Sequence, residues 1–337
     1  MPSATVDWRS VRRNSQPQPG RPAEILGARR RVRTMYRIER LGYVTIEVAD
    51  LEQAIDFYAR VVRLEVTERR AGVAFMSGGA DHHWLRLEEG PNPGVTRIAY
   101  QAVDRTSYEA IAADLATAGT DFIRGGDFKV DRVEEWIRFR DPAGIEWEIF
   151  TKMAELAVPI APNGIALDKM LHTLWVVPNY DDETAFCREV LGFEVSDQVE
   201  ESVEFLRCAN GYHHSLGFAR GAPGLSAPTF SHFCVLVGSL DEVMRFRHNA
   251  VSLGMKLELD ILRHPTSGSM GVYVIEPWLG FSIEFSTDHA VIDDATHLPR
   301  RFVMGKGALD VWKEPLPPPR VDSKASFTEK LDPASAL

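Results

Sequence analysis

Two glutamates occupy matching positions in two similar stretches of the sequence. Residues 135–151 read EWIRFRDPAGIEWEIFT, and residues 271–286 read GVYVIEPWLGFSIEFS. Each stretch has an alternating strand, an acidic residue before proline, a glycine turn and a strand with glutamate between apolar neighbours. This pattern predicts that Glu148 and Glu284 are equivalent residues of a duplicated unit. Alternation at period two turns Glu284 away from its apolar neighbours, so it must face a polar group.

The second half of the chain also has histidines where the first half has other residues. Tyr43 in LGYVTIEV aligns with His172 in MLHTLWVV, and Arg97 in TRIAYQAV aligns with His232 in SHFCVLVG. The offsets between these pairs, and between the two glutamates, differ only by loop lengths. The second half therefore has His, His and Glu where the first half has Tyr, Arg and Glu.

Two imidazoles and one carboxylate can bind one face of a metal ion and leave its other positions open. This ligand set is typical of non-haem Fe(II) oxygenases, in which an organic substrate and dioxygen must both reach the metal. The spacing matches no short motif, and a single histidine is more often a hydrogen-bonded or surface residue than a ligand. The duplicated pattern is what favours His172, His232 and Glu284 as metal ligands.

The elements that must position these residues recur four times along the chain. Alternating apolar residues predict a strand from Tyr43, helical spacing after the capping residue Asp50 predicts a helix, and three short strands follow. The same βαβββ order returns from Thr96, Leu171 and Ser231. We therefore expect an α+β fold of four βαβββ units in two tandem modules, each forming a cupped mixed sheet. Each candidate ligand lies on the first or last strand of its unit, which brings the three together.

The composition indicates a chain with more than one hydrophobic core. It has 337 residues, of which 45% are hydrophobic, and a formal net charge of −10. Ten arginines lie within residues 1–40, so the remainder is strongly acidic, which argues against nucleic acid or an anionic membrane as the main partner. No apolar run approaches the roughly 18 residues of a spanning helix, and no hydrophobic signal core follows the N-terminus, so we expect a cytoplasmic protein. Cys187, Cys208 and Cys234 have no metal spacing and are predicted to be reduced packing residues.

Composition and periodicity divide the chain into five segments. Residues 1–34 are rich in Arg, Pro, Ser and Gln and are predicted to be a disordered basic extension. A first, metal-free module covers 35–153, a linker covers 154–169, and a metal-binding module covers 170–290. Residues 291–337 form a Pro-rich tail that is expected to follow the surface. The predicted helices, two in each module, cover Leu51–Val62, Ser107–Ala118, Asp182–Leu191 and Leu240–Leu253.

Several stretches resemble the vicinal oxygen chelate superfamily. They are GYVTIEVADLEQAIDFYARVVRLEV and LHTLWVVPNYDDETAFCREVLGFEV, together with YHHSLGF, SHFCVLV and YVIEPWLGFSIEF. Within that superfamily they resemble the two-module type I extradiol catechol dioxygenases, in which a degenerate N-terminal module precedes a metal-binding one. The resemblance covers about Tyr36 to Asp288. It implies that His172, His232 and Glu284 bind Fe(II), with Mn(II) the less common choice.

The resemblance also implies roles for residues around the metal. His214 in YHHSLGF matches the family's active-site acid/base, which takes a proton from the catechol. Tyr273 matches a tyrosine that donates a hydrogen bond near the substrate oxygens, and His264 matches a pocket histidine. Because consecutive residues of a strand face opposite sides, the adjacent His213 is expected to face away from the site. PWLGFSIE has one residue more than the family pattern before Glu284, so the turn must bulge if Tyr273 and Glu284 keep their relative facing.

The activity implied by the resemblance is cleavage of a catechol ring beside its two hydroxyls, with both atoms of O2 entering the product. The expected partners are a small catechol and O2, and the protein is expected to be a homo-oligomer. Two alternatives remain open. A glyoxalase or epimerase of the same fold would commonly take metal ligands from both modules, and Tyr43 and Arg97 argue against it. A metal-free binding protein of the same fold would need no ligand triad.

Aromatic residues of the second module bear on the size of the substrate. Aromatic side chains on strands are more often part of a core than of a pocket. If they line a pocket, it would suit a bulky or two-ring catechol. The residues that could do so are Trp175, Phe205, Tyr212, Phe218 and Met270.

Overall fold

The computed structural model describes residues 36–305, 307 and 309–313. These residues form two mixed β-sheets and four α-helices, which confirms the expected α+β class with two tandem modules of βαβββ units. The predicted disordered extension, residues 1–34, and most of the Pro-rich tail lie outside the described residues. Within the described part of the chain, no helix is both long enough and apolar enough to cross a membrane.

The first module contains two βαβββ units, each with a capped helix after its first strand. Asp50 accepts a hydrogen bond from the backbone of Gln53, and Asp104 accepts one from the backbone of Ser107, so both helices begin at a side-chain cap. The first helix continues into a π-helical turn, Tyr58–Val62. The elements are β1 Ile38–Val48, α1 Leu51–Phe57, β2 Glu65–Arg70, β3 Val73–Ser77, β4 Leu85–Glu89, β5 Gly94–Ala102, α2 Arg105–Thr117, β6 Phe122–Gly125, β7 Trp136–Arg140 and β8 Glu146–Phe150.

The second module repeats this order and adds one strand. Ser239 caps its second helix by accepting a hydrogen bond from the backbone of Glu242. The three cysteines of the chain, all in this module, are free and buried. The elements are β9 Leu167–Val177, α3 Tyr180–Glu189, β10 Glu194–Val199, β11 Val203–Arg207, β12 Leu216–Arg220, β13 Thr229–Val237, α4 Leu240–Ser252, β14 Leu257–Arg263, β15 Met270–Ile275, β16 Ser282–Thr287 and β17 Arg300–Phe302.

The two sheets share one plan. The strand order is β2-β3-β4-β1-β5-β8-β7-β6 in the first sheet and β14-β15-β16-β13-β9-β12-β11-β10-β17 in the second. The first strand of each unit pairs in parallel with the last strand of that unit and antiparallel with the first strand of its partner unit. Helices cover one face of each sheet, as where Phe246 of α4 stacks on Phe285 of β16. The residues that alternate with this core point to the other face.

The turn between β15 and β16 contains the additional residue of PWLGFSIE. Backbone N–H groups of the turn donate hydrogen bonds to the Glu276 carboxylate, and Gly280 adopts a φ of 78°, which favours glycine. The two strands pair without a register shift, and Tyr273 lies opposite Glu284. The extra residue is therefore held in the turn, and the relative facing of Tyr273 and Glu284 is kept.

The two modules pack against each other through polar as well as apolar groups. The Tyr100 hydroxyl donates a hydrogen bond of 2.8 Å to the carbonyl of Ser215. Nearby, the carboxyl of Glu183 accepts a hydrogen bond of 3.0 Å from the backbone of Ala143 and lies against the buried Asp141. Burial, together with the negative charge of Asp141, raises the pKa of Glu183 to about 9. The interface therefore holds a carboxyl group that stays protonated at neutral pH.

The segment after residue 290 returns to the second module. Val291 forms an antiparallel bridge with Tyr212, and β17 pairs in parallel with β10 at the edge of the sheet. Farther on, the carboxylate of Asp310 accepts a hydrogen bond from the backbone of Arg263. The first part of the tail thus lies along the module that contains the candidate ligands.

Candidate metal centre

Three neighbouring strands carry the predicted ligands. His172 lies on β9, His232 on β13 and Glu284 on β16, and these strands are adjacent in the order β16-β13-β9. In the register of the sheet, Cys234 lies between His172 and Glu284. His232 is two residues before Cys234, so alternation turns it to the same side. The three side chains therefore meet on the face away from the helices.

The ligand atoms of these side chains converge on one point. Nε2 of His172 lies 3.2 Å from Nε2 of His232 and 2.9 Å from Oε2 of Glu284, and the His232 nitrogen lies 3.5 Å from that oxygen. Metal–ligand bonds of about 2.1 Å at right angles would place neighbouring ligand atoms about 3.0 Å apart. The three distances fit two imidazoles and a carboxylate on one face of a metal ion.

The electrostatics of the cluster also fit a cation. Burial lowers the pKa of His232 to about 3, which leaves its imidazole neutral at pH 7. Burial would raise the pKa of Glu284, but His172 and His232 hold it below its usual range, so the carboxylate is ionised. Among the described residues, the ion-pair contacts of Glu284 are with the imidazoles of His172 and His232, and no lysine or arginine pairs with it. A neutral His232 imidazole and an ionised, buried Glu284 carboxylate are the protonation states that a divalent metal requires.

The predicted ligands face a cavity of about 210 Å³. Its polar residues cluster around the triad, and none of the described residues that line it is lysine or arginine. Glu258 lies at its edge, on the exposed side of β14, and accepts a hydrogen bond from Ser282. Ser231, Thr266 and Ser267 also line the cavity, and its apolar wall is formed by Leu174, Val199, Val203, Phe205, Ala219, Leu259 and Leu309.

The remaining predicted site residues line the same cavity. The ring of His214 lies 4.1 Å from the ring of His172, between centroids. The hydroxyl of Tyr273 lies 2.8 Å from Nε2 of His264, and the Tyr273 ring meets the ring of His232 edge-on. Burial raises the pKa of Tyr273 and lowers the pKa of His264 and of His214. The structure thus brings all six predicted residues together around one cavity.

Of the aromatic and methionine residues considered for the pocket, only Phe205 is among the described cavity-lining residues. Trp175 packs against Phe230, and Phe218 is fully buried in the core. Alternation explains the difference, because Leu174 and His172 face the cavity while Trp175 faces the opposite side of β9. The substrate wall is therefore mainly aliphatic.

His213 is not among the described residues that line the cavity, although it contacts His214. His213 and His214 precede β12, so strand alternation does not govern their side chains. Nδ1 of His213 lies 3.0 Å from Nδ1 of His214, and Nε2 of His213 lies 2.8 Å from Oδ2 of Asp197. Arg300 of β17 pairs with the same carboxylate at 2.5 Å. The sequence did not reveal Asp197 and Arg300. The one available signal was that the pair HisHis occurs in both modules, in ADHHWLRL and in YHHSLGF, which marks the pair as part of the repeat.

His289 is a further residue of the site that the sequence did not indicate. Its ring lies 5.4 Å from the ring of His172 and 5.0 Å from that of His214, and it is buried. Neither ring nitrogen of His289 has a hydrogen-bond partner among the described residues. His289 follows β16 in a segment without periodicity. The equivalent residue of the first module, five residues after Glu148, is Met153, so the repeat does not reveal His289.

The equivalent positions of the first module form an internally neutralised cluster. The hydroxyl of Tyr43 donates a short hydrogen bond to the fully buried carboxylate of Glu148. The guanidinium of Arg138 donates to the other carboxylate oxygen at 2.6 Å, and Arg97 pairs with Glu146 at 2.8 Å. In the first module, the guanidinium of Arg138 neutralises Glu148. In the second module, a metal ion would neutralise the equivalent Glu284.

The chain matches known proteins over most of its described length. The model of the Glyoxalase/Bleomycin resistance protein/Dioxygenase superfamily matches residues 40–149 and 169–285. The chain is 26% identical over 277 residues to a biphenyl-2,3-diol 1,2-dioxygenase of Pseudomonas sp. (strain KKS102), a match that covers 77% of this chain and 92% of that protein. It is 24% identical over 290 residues to a manganese-dependent 2,3-dihydroxybiphenyl 1,2-dioxygenase of Geobacillus genomosp. 3, covering 76% and 87% of the two chains.

Solved structures have the same fold. The Mn(II)-bound glyoxalase from Novosphingobium aromaticivorans superposes with a TM-score of 0.73 at 26% identity, covering 83% of this chain and 95% of that one. Homoprotocatechuate 2,3-dioxygenase from Arthrobacter globiformis superposes with a TM-score of 0.74 at 21% identity, covering 83% and 89%. The second likeness bears on the fold alone.

Proposed function

The chain belongs to the Glyoxalase/Bleomycin resistance protein/Dioxygenase superfamily, and we propose that within it the protein is an extradiol dioxygenase that opens a catechol ring next to the diol. Relatives named as biphenyl-2,3-diol dioxygenases support this activity. The observation that carries the proposal is the convergence of His172, His232 and Glu284 on one point of a mainly apolar cavity. That arrangement suits an enzyme whose substrate chelates the metal through two neighbouring hydroxyls.

Two other functions of this fold fit the site less well. A glyoxalase-type centre with ligands from both modules would need free donors in the first one, where Tyr43 and Arg138 already occupy the carboxylate of Glu148. A metal-free binding protein would leave the ionised Glu284 carboxylate buried with no described lysine or arginine paired with it, and burying a charge without a counter-charge is costly. Both observations favour a metal centre in the second module alone.

Fe(II) is the proposed ion and O2 the co-substrate. His172, His232 and Glu284 would hold the ion through the atoms that already converge. When bound, a redox-active ion supplies the electron transfer between catechol and O2. The same donor set would also accept Mn(II), the ion named in one relative.

His214 is the proposed acid/base. It lines the cavity beside His172, within reach of a diol held at the triad. Burial keeps its imidazole neutral at pH 7, so a ring nitrogen can accept the proton that a catechol hydroxyl loses on binding. The same nitrogen can return the proton to a later intermediate.

Tyr273 and His264 are proposed to orient the diol. The two side chains form a hydrogen-bonded pair on the wall of the cavity, next to His232. Burial raises the pKa of Tyr273, so its hydroxyl stays protonated throughout the neutral range. The pair therefore offers a fixed polar edge against which the substrate oxygens can be placed.

The proposed substrate is an uncharged catechol with an apolar ring substituent. The apolar part of the wall is aliphatic apart from Phe205, and no described lining residue is lysine or arginine. A carboxylate on the substrate would enter this cavity without a counter-charge and with Glu258 at its edge. Catechols with alkyl or phenyl substituents should therefore be preferred to acidic ones.

Anaerobically purified protein reconstituted with Fe(II) tests the proposal. We expect near-stoichiometric iron, O2 uptake with 3-methylcatechol or 3-phenylcatechol, a yellow ring-opened product, and slow turnover of a carboxylate-bearing catechol. His172→Ala, which lacks one ligand, is the matched control and should bind no iron. Failure to bind a metal under any reconstitution, or full activity in the His172→Ala variant, would reject the proposal.

A further inference from the structure

A buried chain of hydrogen bonds reaches His214 from behind the cavity. Asp197 and His213 are both completely buried. Oδ2 of Asp197 lies 2.8 Å from Nε2 of His213, and Nδ1 of His213 lies 3.0 Å from Nδ1 of His214. The two histidines therefore contact each other through their Nδ1 atoms. Nε2 of His214 is left available to the cavity that His214 lines.

The charge of Asp197 is already compensated. Arg300 donates to both carboxylate oxygens, with the backbone N–H at 2.8 Å from Oδ1 and Nη2 at 2.5 Å from Oδ2. Burial would raise the pKa of Asp197, but the hydrogen bonds from His213 and Arg300 hold it below its usual range. Burial lowers the pKa of His213, and a carboxylate paired with arginine has little need of a second cation. Asp197 is thus ionised and His213 is neutral.

These contacts allow only one arrangement of protons. An ionised carboxylate only accepts, so Nε2 of His213 carries the hydrogen that it donates to Asp197. A neutral imidazole has one N–H, so Nδ1 of His213 is an acceptor. The hydrogen between the two histidines must then belong to Nδ1 of His214. Nε2 of His214 is left with a free lone pair.

We propose that Asp197 and His213 are positioning residues that hold His214 in the tautomer whose Nε2 can accept a proton from the substrate. The geometry of the chain stands by itself, whereas its catalytic meaning rests on the proposed function. If His213 donated from Nδ1 instead, Nε2 of His214 would carry a hydrogen and could not act as a base. Arg300 supports the arrangement, since it satisfies the carboxylate without a proton from His213.

The first module contains the same chain without the metal-site residues. Nε2 of His82 lies 3.1 Å from Oε2 of Glu68, and Nδ1 of His82 lies 3.1 Å from Nδ1 of His83. Arg70 and Arg132 pair with Glu68 at 2.6 Å each. The stability that such a chain contributes can therefore be measured in a module where His83 has no proposed catalytic role.

Asp197→Asn is the test variant and Glu68→Gln its matched control. An amide at residue 197 can keep its oxygen on the backbone N–H of Arg300 and turn its NH2 to His213, which reverses both histidine tautomers and gives up the contact of Oδ2 with Nη2 of Arg300. A reversed tautomer in a histidine-dependent enzyme costs up to about 10⁴-fold in turnover. We expect Asp197→Asn to keep its iron and to hold KM within a few-fold, while kcat falls by about 10²–10⁴-fold. Glu68→Gln should leave kcat within about twofold of the wild type, whatever it costs in melting temperature.

Histidine ¹⁵N NMR of the Zn(II)-loaded protein reads the tautomer without turnover. In the wild type, Nε2 of His214 should give the signal of an unprotonated ring nitrogen, and in Asp197→Asn the signal of a protonated one. A protonated Nε2 in the wild type would overturn the inference even if Asp197→Asn does not fold. Equal losses of kcat in Asp197→Asn and Glu68→Gln would also overturn it. A wild type that shows the expected tautomer but cleaves no catechol would instead reject the proposed function.

Discussion

Replacing Glu284 with Gln, and separately Glu148 with Gln, makes the same change at equivalent positions of the two modules. Glu284 is buried, faces two imidazoles and is paired with no lysine or arginine among the described residues. Glu148 is buried and is held by Tyr43 and Arg138. The first substitution should therefore remove metal binding, and the second should weaken a network that needs no metal.

The two expected magnitudes can be worked out separately. A metal present at one hundred times its Kd stabilises the folded state by about 2.7 kcal/mol, or roughly 5–11 °C in melting temperature at about 2–4 °C per kcal/mol. Glu284→Gln should lose this whole increment. Glu148→Gln leaves one donor of Tyr43 or Arg138 facing an amide NH2, which should cost about 2–3 kcal/mol with and without metal. That variant should keep the metal-dependent increment.

Thermal melting with and without added Mn(II), which avoids oxidation of iron, measures all four values. Metal content of the same samples, measured after gel filtration, gives an independent reading. The reasoning fails if Glu148→Gln loses the metal-dependent increment while Glu284→Gln keeps it. It also fails if Glu148→Gln melts like the wild type, because the Tyr43–Glu148–Arg138 network would then stabilise nothing.

Three further predictions concern single groups. His214→Gln should retain iron while kcat falls by about 10²–10⁴-fold, and His83→Gln, the equivalent change in the first module, should leave kcat nearly unchanged in the same assay. Burial lowers the pKa of His232 to about 3, so the folded state binds fewer protons than the unfolded state between pH 3 and about pH 6.5. The free energy of unfolding of the metal-free protein should therefore fall with acidification in this range, by up to about 1.4 kcal/mol per pH unit for each such histidine. Urea unfolding at several pH values measures this change. The pKa of Glu183 is raised from 4.5 to about 9 in the folded state, so the folded state holds a proton that the unfolded state releases. The stabilisation that comes from this proton is fully present below about pH 4.5 and is lost as the pH rises through 9. Glu183→Gln should therefore be more stable than the wild type at pH 9 in the same urea assay, and an unchanged or lower stability there would contradict the assignment of a protonated Glu183.

The repeat made much of the fold and site predictable. Four copies of one strand–helix–strand pattern specify the order of elements, and strand alternation specifies which side of each strand faces the helices. With those two rules, His172, His232 and Glu284 are expected on one face of adjacent strands, and the structure places them there. The predicted starts of α1 and α4 agree because Asp50 and Ser239 cap these helices through their side chains, whereas α2 and α3 begin two residues before the predicted Ser107 and Asp182.

The residues that the sequence did not reveal lie outside periodic elements. Arg300 reaches Asp197 across 103 positions of the chain, a distance at which local pattern carries no information. The hydrogen-bond partners of His213 were not predicted, because the strand begins only at Leu216 and the histidines before it take their orientation from hydrogen bonds. His289 enters the site after β16 has ended. Such positions depend on tertiary contacts that a one-dimensional pattern does not encode.

The segment after residue 290 packs on the second module, so the cavity around the proposed metal ligands is completed late in synthesis of the chain. Domains generally fold as units, the N-terminal one first, while the ribosome is still extending the chain. All three predicted ligands are present once residue 284 has emerged, but Arg300, which supports Asp197, and Leu309, which closes part of the cavity wall, follow later. A chain that terminates or is cleaved near residue 290 would keep its metal ligands and lack both of these groups. The proposed metal site would then lack Leu309 from its wall and the support that Arg300 gives to Asp197 in the full-length protein.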